Sequence, residues 1–228
     1  LLLKSDVIYS RILKAGDIAT KDIELLHQSD PLALHPVPSN SADSSKGSVS
    51  IDLRLGRWFL TLKHARHEII DVVDEFSSHA SMISNRHFVP FGGRFVLHPG
   101  KFVLGATLEW IRLPSNLGGY VSGKSSWGRR GLIIETAMGI HPGFSGCITL
   151  EIANVGEIPI ALRPGMQICQ CYFHDTVGGD NQKAQSVHAG FRRPTVGRLE
   201  KDFLPPESNP NQGFGLASSG GSRLASTS

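Results

Sequence analysis

No apolar run in this 228-residue chain approaches the roughly 18 residues that a membrane-spanning helix needs, and Leu1–Leu3 is too short for the apolar core of a signal peptide. The sequence predicts no membrane partner. Cysteine is scarce. Cys147, Cys169 and Cys171 are an odd set, the last two separated by one residue, which is neither a disulfide framework nor the spacing of a zinc ribbon. A reducing, cytoplasmic setting is the expectation. A clustered basic stripe is missing too. Twenty-three Lys and Arg stand against 20 Asp and Glu, a formal net charge of +3, and the sequence pI of about 8.9 suits a polyanionic ligand. The scatter of the cations argues against a nucleic-acid polymer and for a small phosphorylated molecule.

What the chain does have is punctuation. Gly 25 and Pro 13 separate many short apolar runs, the pattern of a mainly β chain with helix as a minor component. In SVSIDLRL the residues Val49, Ile51, Leu53 and Leu55 alternate with Ser50, Asp52 and Arg54, so a strand with one buried face is expected. Further strands are expected at 57–62, 87–91, 94–97, 102–112, 118–122, 147–153, 158–162 and 167–173, with turns at Gly92-Gly93, Pro99-Gly100, Pro142-Gly143, Gly156 and Pro164-Gly165. Such spacing predicts a sandwich or jelly roll. Ser5 and Asp6 can cap a short N-terminal helix carrying Val7, Ile8, Ile12 and Leu13 that stops near Gly16. Residues 36–48 read as a loop, and 64–86 fit helix or strand equally. One domain is expected over 1–204, followed by a disordered Gly- and Ser-rich tail over 205–228.

Four segments could carry chemistry. Gly123-Lys124-Ser125-Ser126-Trp127-Gly128-Arg129-Arg130-Gly131 places two hydroxyls and three cations in a glycine-bounded loop. If Ser125 or Ser126 caps a helical turn, its free N–H groups and Lys124 can face an anion; a solvated basic turn is the plainer alternative. The second segment is a tight turn, Ile140-His141-Pro142-Gly143, leading to Cys147-Ile148-Thr149-Leu150-Glu151-Ile152. Alternation puts Ile148, Leu150 and Ile152 on one face and Glu151 with Thr149 on the other. A carboxylate among apolar neighbours in a central strand is costly unless paired or used. Glu151 is therefore either bridged to Arg129 or a general acid/base. Ile158 to Met166 reads as core strand and turn. The fourth segment, Ala189 to Arg198, is a basic stretch with Phe191, Arg192 and Arg193, either an exposed linker or a lid over phosphates within about 183–200.

In order along the chain, SVSIDLRLG, FVLHPGKFVLGATLE, IRLPSNLGGYVSGKSSWGRRGL, TAMGIHPGFSGCITLEIANVG and IPIALRPGMQI resemble the corresponding segments of the dCTP deaminases, a branch of the trimeric dUTPase superfamily. The similarity runs from about residue 4 to residue 200. It implies a distorted jelly roll of the dUTPase/dCTP deaminase type, a homotrimer with sites between subunits, and dCTP bound with Mg²⁺. It also implies hydrolytic deamination of dCTP to dUTP and ammonia without zinc, and the H-x-E…P-C-x-x-C pattern of zinc deaminases is absent. By that resemblance Glu151 takes a proton from the water that attacks C4, Arg129 and Ser125 position that water, and Lys124 and Ser126 hold phosphates. Backbone groups around Thr136 and Ala137 would read the cytosine edge.

The sequence departs from the family in two places. Most dCTP deaminases keep an Asp near the sugar where His141 stands here. The same turn, Gly139-Ile140-His141-Pro142-Gly143, lacks the carboxylate that a dUTPase carries in its G-V-I-D-x-D-Y-R-G-like segment. In the lid, the family's K-Y-x-x-Q reads Val187-His188-Ala189-Gly190-Phe191, so Arg192, Arg193 and Arg198 are the remaining candidates to grip a triphosphate. The competing readings are a dUTPase-type diphosphatase and a nucleotide-binding trimer without turnover.

Overall fold

The computed structural model describes residues 1–12, 31–38, 47–63, 84–136, 139–178 and 190–195. Two antiparallel sheets face each other across one core. The first contains β1 (Ala33–His35), β3 (Trp58–Leu62), β4 (Ser84–Phe88), β6 (Phe102–Arg112), β8 (Leu132–Glu135) and β10 (Ser145–Asn154), in the order β4-β3-β6-β10-β8 with β1 also on β6. The second contains β2 (Ser50–Arg54), β7 (Leu117–Gly123), β9 (Gly139–Ile140) and β12 (Gln167–Asp175), in the order β2-β12-β7-β9. A smaller ribbon pairs β5 (Phe95–Leu97) with β11 (Ile160–Leu162). The architecture is the jelly-roll type that the turn spacing predicts.

Alternation explains the core. Ile51 and Leu53 of β2, Val103 and Ile111 of β6, Ile148, Leu150 and Ile152 of β10, and Ile168 and Phe173 of β12 all point inward and are buried. Polar neighbours such as Asp52 and Glu151 lie on the opposite, less buried face, as a period of two requires, whereas Thr107 and Glu109 of β6 are buried.

Several expectations need correction. The N-terminal helix α1 covers Ser5–Arg11, its N-cap is Lys4 without a side-chain hydrogen bond, and Ile12 is already extended. Ser5 is instead buried inside the helix and its backbone N–H donates to the Ser48 carbonyl, so it does not act as the cap. The strand expected at 87–91 is Ser84–Phe88. Pro90 cannot donate to a ladder, and its carbonyl closes a turn on the Gly93 N–H at 3.0 Å. The strand expected at 158–162 begins only at Ile160, after Pro159, because the Ile158 carbonyl is taken by the Asn154 side chain at 2.9 Å. β1, β8 and β9 were not anticipated. Leu13, Gly16, residues 64–83 and the tail 205–228 lie outside the described residues.

No described helix is long and apolar enough to cross a membrane. The three cysteines are free, with Cys169 and Cys171 buried on one face of β12.

Candidate functional site

The basic loop leaves β7 at Gly123 and forms a single helical turn, α2 (Ser125–Gly128), before entering β8. Its N-cap is Lys124, not a serine, and no side chain caps it. Three contacts fasten the loop to the four-stranded sheet. The Lys124 backbone N–H donates to the Ile168 carbonyl at 3.2 Å, the Trp127 indole Nε1 donates to the Gln167 carbonyl at 3.0 Å, and the Lys124 ammonium pairs with Asp52. Gln170 also donates to Asp52, at 3.2 Å. Lys124 is thus held on β2 in the free chain. Ser125, Ser126 and Arg129 stand exposed on the turn.

The chain closes the loop through Gly131, whose φ is +83° and whose missing Cβ would sit 2.7 Å from the Gly156 backbone. Only glycine meets both requirements. From there β8 runs antiparallel to β10, with Leu132 opposite Asn154 and Glu135 opposite Glu151. Thr136 then ties the chain down, its Oγ1 donating to the Thr149 carbonyl at 2.9 Å. Ala137 lies outside the described residues. At Gly139 and Ile140 the chain has crossed to the other sheet, pairing with Tyr120 and Gly119, and His141 sits exposed at the tip of the turn, its carbonyl receiving the Phe144 N–H at 3.1 Å.

Glu151 lies where alternation put it, on the outward face of β10 with Thr149, but it is exposed in the single chain. The burial cost expected of a central-strand carboxylate does not arise there, and of the two alternatives for Glu151 the bridge to Arg129 is not formed among the described residues. Distance explains this. The loop ends at Leu132, and Glu135 lies three residues further along, about 10 Å at the rise of a strand. Arg129 and Glu151 of one chain therefore face different ends of the short β8.

The basic segment near the C-terminus lies on the six-stranded sheet. Gly190 N–H donates to the Ser145 carbonyl, and Cys147 N–H to the Phe191 carbonyl at 2.8 Å, so the segment occupies the β10 edge just before the stretch that β8 covers. The Arg193 guanidinium stacks 4.3 Å above the Trp58 ring centre. Arg192 helps to line a cavity of about 500 Å³ with Arg57, Trp58, Phe88, Trp110 and Cys147. Burial pushes the Cys147 thiol up to about 11, with Arg192 pulling against it, so it is a protonated wall of that cavity. Val187 and Arg198 lie outside the described residues.

Two acidic neighbours of these residues were missed in the sequence. Asp52, which holds Lys124, is hidden because its partner is 72 positions away. Glu135 had a visible signal, a lone carboxylate ending the apolar run Leu132-Ile133-Ile134 just before Thr136.

Residues 18–176 match the family model described as dCTP deaminase-like. A dUMP-forming dCTP deaminase of Dictyoglomus thermophilum is 36% identical over 195 residues, covering 83% of this chain and 98% of that protein. Its counterpart in Mycobacterium tuberculosis is 38% identical over 194 residues, 82% of this chain and 97% of that one. Among solved structures, the 2'-deoxycytidine 5'-triphosphate deaminase of Agrobacterium tumefaciens superposes with a TM-score of 0.50 at 20% identity, over 75% of this chain. This chain spans 47% of that structure's length, and the likeness speaks to the fold. The matched stretch contains the loop from Gly123, the turn at His141 and the strand of Glu151, so the chain that builds this site belongs to the dCTP deaminase-like family.

Proposed function

We propose that the chain deaminates dCTP by hydrolysis, water adding at C4 of the cytosine ring and ammonia leaving. The observation that carries this reading is the pair Glu151 and Arg129. A carboxylate on a strand paired on both sides at that position and a guanidinium on an anchored turn are both presented to solvent, and neither is spent on a structural ion pair among the described residues. Glu151 takes the proton of the attacking water and returns it toward the leaving nitrogen. Arg129 and Ser125 orient that water and polarise it. Lys124 and Ser126 bind phosphate, Lys124 exchanging its Asp52 partner for the anion, and Mg²⁺ enters with the triphosphate as part of the substrate. The backbone at Thr136 and Ala137 reads the ring, His141 faces the sugar, and Arg192 and Arg193 close over the phosphates. No zinc takes part.

The separation of Arg129 from Glu151 supports a homotrimer in which one copy supplies Glu151 and a neighbouring copy supplies Arg129 and Ser125. A cation and an anion that face different ends of β8, with no ion pair between them among the described residues, are complementary between two copies.

The product has two readings. His141 puts no carboxylate in the turn to orient water toward phosphorus, which favours dUTP as the end product. The names of the D. thermophilum and M. tuberculosis relatives favour dUMP. Incubating the protein with dCTP, dCMP and dUTP in the presence of Mg²⁺, with ammonia and nucleotide products measured, separates them. Ammonia and dUTP from dCTP support the first, ammonia with dUMP and pyrophosphate the second. Pyrophosphate from dUTP without ammonia from dCTP would replace the deaminase by a diphosphatase.

A further inference from the structure

Glu135 stands directly opposite Glu151 across the β8–β10 ladder. Directly opposed residues of an antiparallel pair project to the same face, with Cβ atoms about 5 Å apart. Leu132 and Ile134 of β8, and Leu150 and Ile152 of β10, are buried on the inner face, so both carboxylates face outward, and both are exposed. Like charges set opposite one another weaken a sheet, and among the described residues neither meets a cation or a hydrogen-bond donor. The position is firm as well, because the next residue, Thr136, is tied to the Thr149 carbonyl at 2.9 Å. The fold thus holds two acceptor-only groups side by side where the chain leaves β8 toward the turn of His141.

One carboxylate suffices to move the protons of water. The second needs a donor, and the reacting carbon carries one. Cytosine bears an exocyclic amino group at C4 where uracil bears a carbonyl oxygen. A carboxylate accepts from the former and repels the latter.

We propose that Glu135 accepts a hydrogen bond from the exocyclic amino group of the cytosine ring and so selects the amino pyrimidine against its own oxo product. This rests on the deaminase reading of the Glu151 site. It supplies a side-chain discriminator beside the backbone contacts of Thr136 and Ala137, and it favours product release, since deamination replaces the donor with an acceptor facing the same carboxylate.

The test uses the full chain and two variants at this exposed position, Glu135→Gln and Glu135→Ala, with dCTP turnover and inhibition by dUTP measured in each. Glu135→Gln turns an acceptor-only group into one that can donate to a carbonyl oxygen. It is expected to raise KM for dCTP about tenfold, with a smaller change in kcat, and to tighten inhibition by dUTP. Glu135→Ala removes the acceptor without adding a donor, so it should raise KM for dCTP with less effect on dUTP. A residue with a merely structural role would move both nucleotides together. Ammonia release by the native protein with an unchanged dCTP-to-dUTP preference in both variants would overturn the assignment of Glu135 and leave the deaminase reading standing. If the native protein releases no ammonia from dCTP, the deaminase reading fails and this one fails with it.

Discussion

Glu109 on β6 accepts two hydrogen bonds from Arg54 on β2, one from the backbone nitrogen at 2.8 Å and one from Nε at 2.7 Å. The carboxylate is fully buried while Arg54 is partly open to solvent, so the pair joins the two sheets at the edge of the core. Burial raises the Glu109 carboxyl above its ordinary 4.5, and the Arg54 hydrogen bonds and charge pull it down without winning. The folded state thus holds the Glu109 proton more tightly than the unfolded chain does, and this group's contribution to stability falls as pH rises from the ordinary carboxyl range through the raised value. Urea unfolding of the native protein and of Glu109→Gln should show the variant gaining relative stability from acid to neutral pH. A constant difference would contradict the shift. Glu109→Ala, which strands Arg54, should cost about 3 kcal/mol.

Gly131→Ala tests how the basic loop is held. The substitution meets a positive φ and a Cβ 2.7 Å from the Gly156 backbone, and strain with overpacking of this kind costs about 2 kcal/mol. Thermal melting should show a clear loss. Because Arg129 is two residues upstream, kcat for dCTP should fall even at temperatures where the variant is fully folded. An unchanged melting temperature would mean that the Gly131–Gly156 contact can open freely.

The fold was legible where one face of a strand is buried and the other is not. β10, and β2 from Ile51 on, show this as plain alternation, with Ile51, Leu53, Leu150 and Ile152 at the buried positions. β8 was not legible, because Leu132-Ile133-Ile134 is a continuous apolar run too short to distinguish strand from turn. β1 and β9, of three and two residues, exist only through their partners β6 and β7. The site shows the same division. The identities and local spacing of Lys124, Ser125, Arg129 and Glu151 could be read directly. The Asp52 partner of Lys124, the placement of Glu135 opposite Glu151 and the Arg193–Trp58 stack all depend on register between strands distant in sequence, which no local pattern encodes.

Arg129→Ala removes an exposed side chain and should leave unfolding free energy within about 0.5 kcal/mol of the native protein. Ammonia release from dCTP should nevertheless fall by about 100-fold or more, as expected when a group that stabilises developing charge is lost. A near-native rate would dissolve the pairing of Arg129 with Glu151.

His141→Asp restores a carboxylate at an exposed turn position. If His141 faces the sugar, KM for dCTP should fall about fivefold, the worth of one added hydrogen bond of about 1 kcal/mol. A parallel shift of product from dUTP toward dUMP would show that the same carboxylate can serve phosphorus. An unchanged KM would mean that this turn does not touch the nucleotide.

The central claim, that Glu151 is the base of a dCTP deaminase, is tested most directly by ammonia release from dCTP with the native protein and Glu151→Gln side by side. The account predicts release by the native protein and a loss of about 1,000-fold or more in the variant, with nucleotide binding and assembly state retained. Release at a native rate by Glu151→Gln would contradict it.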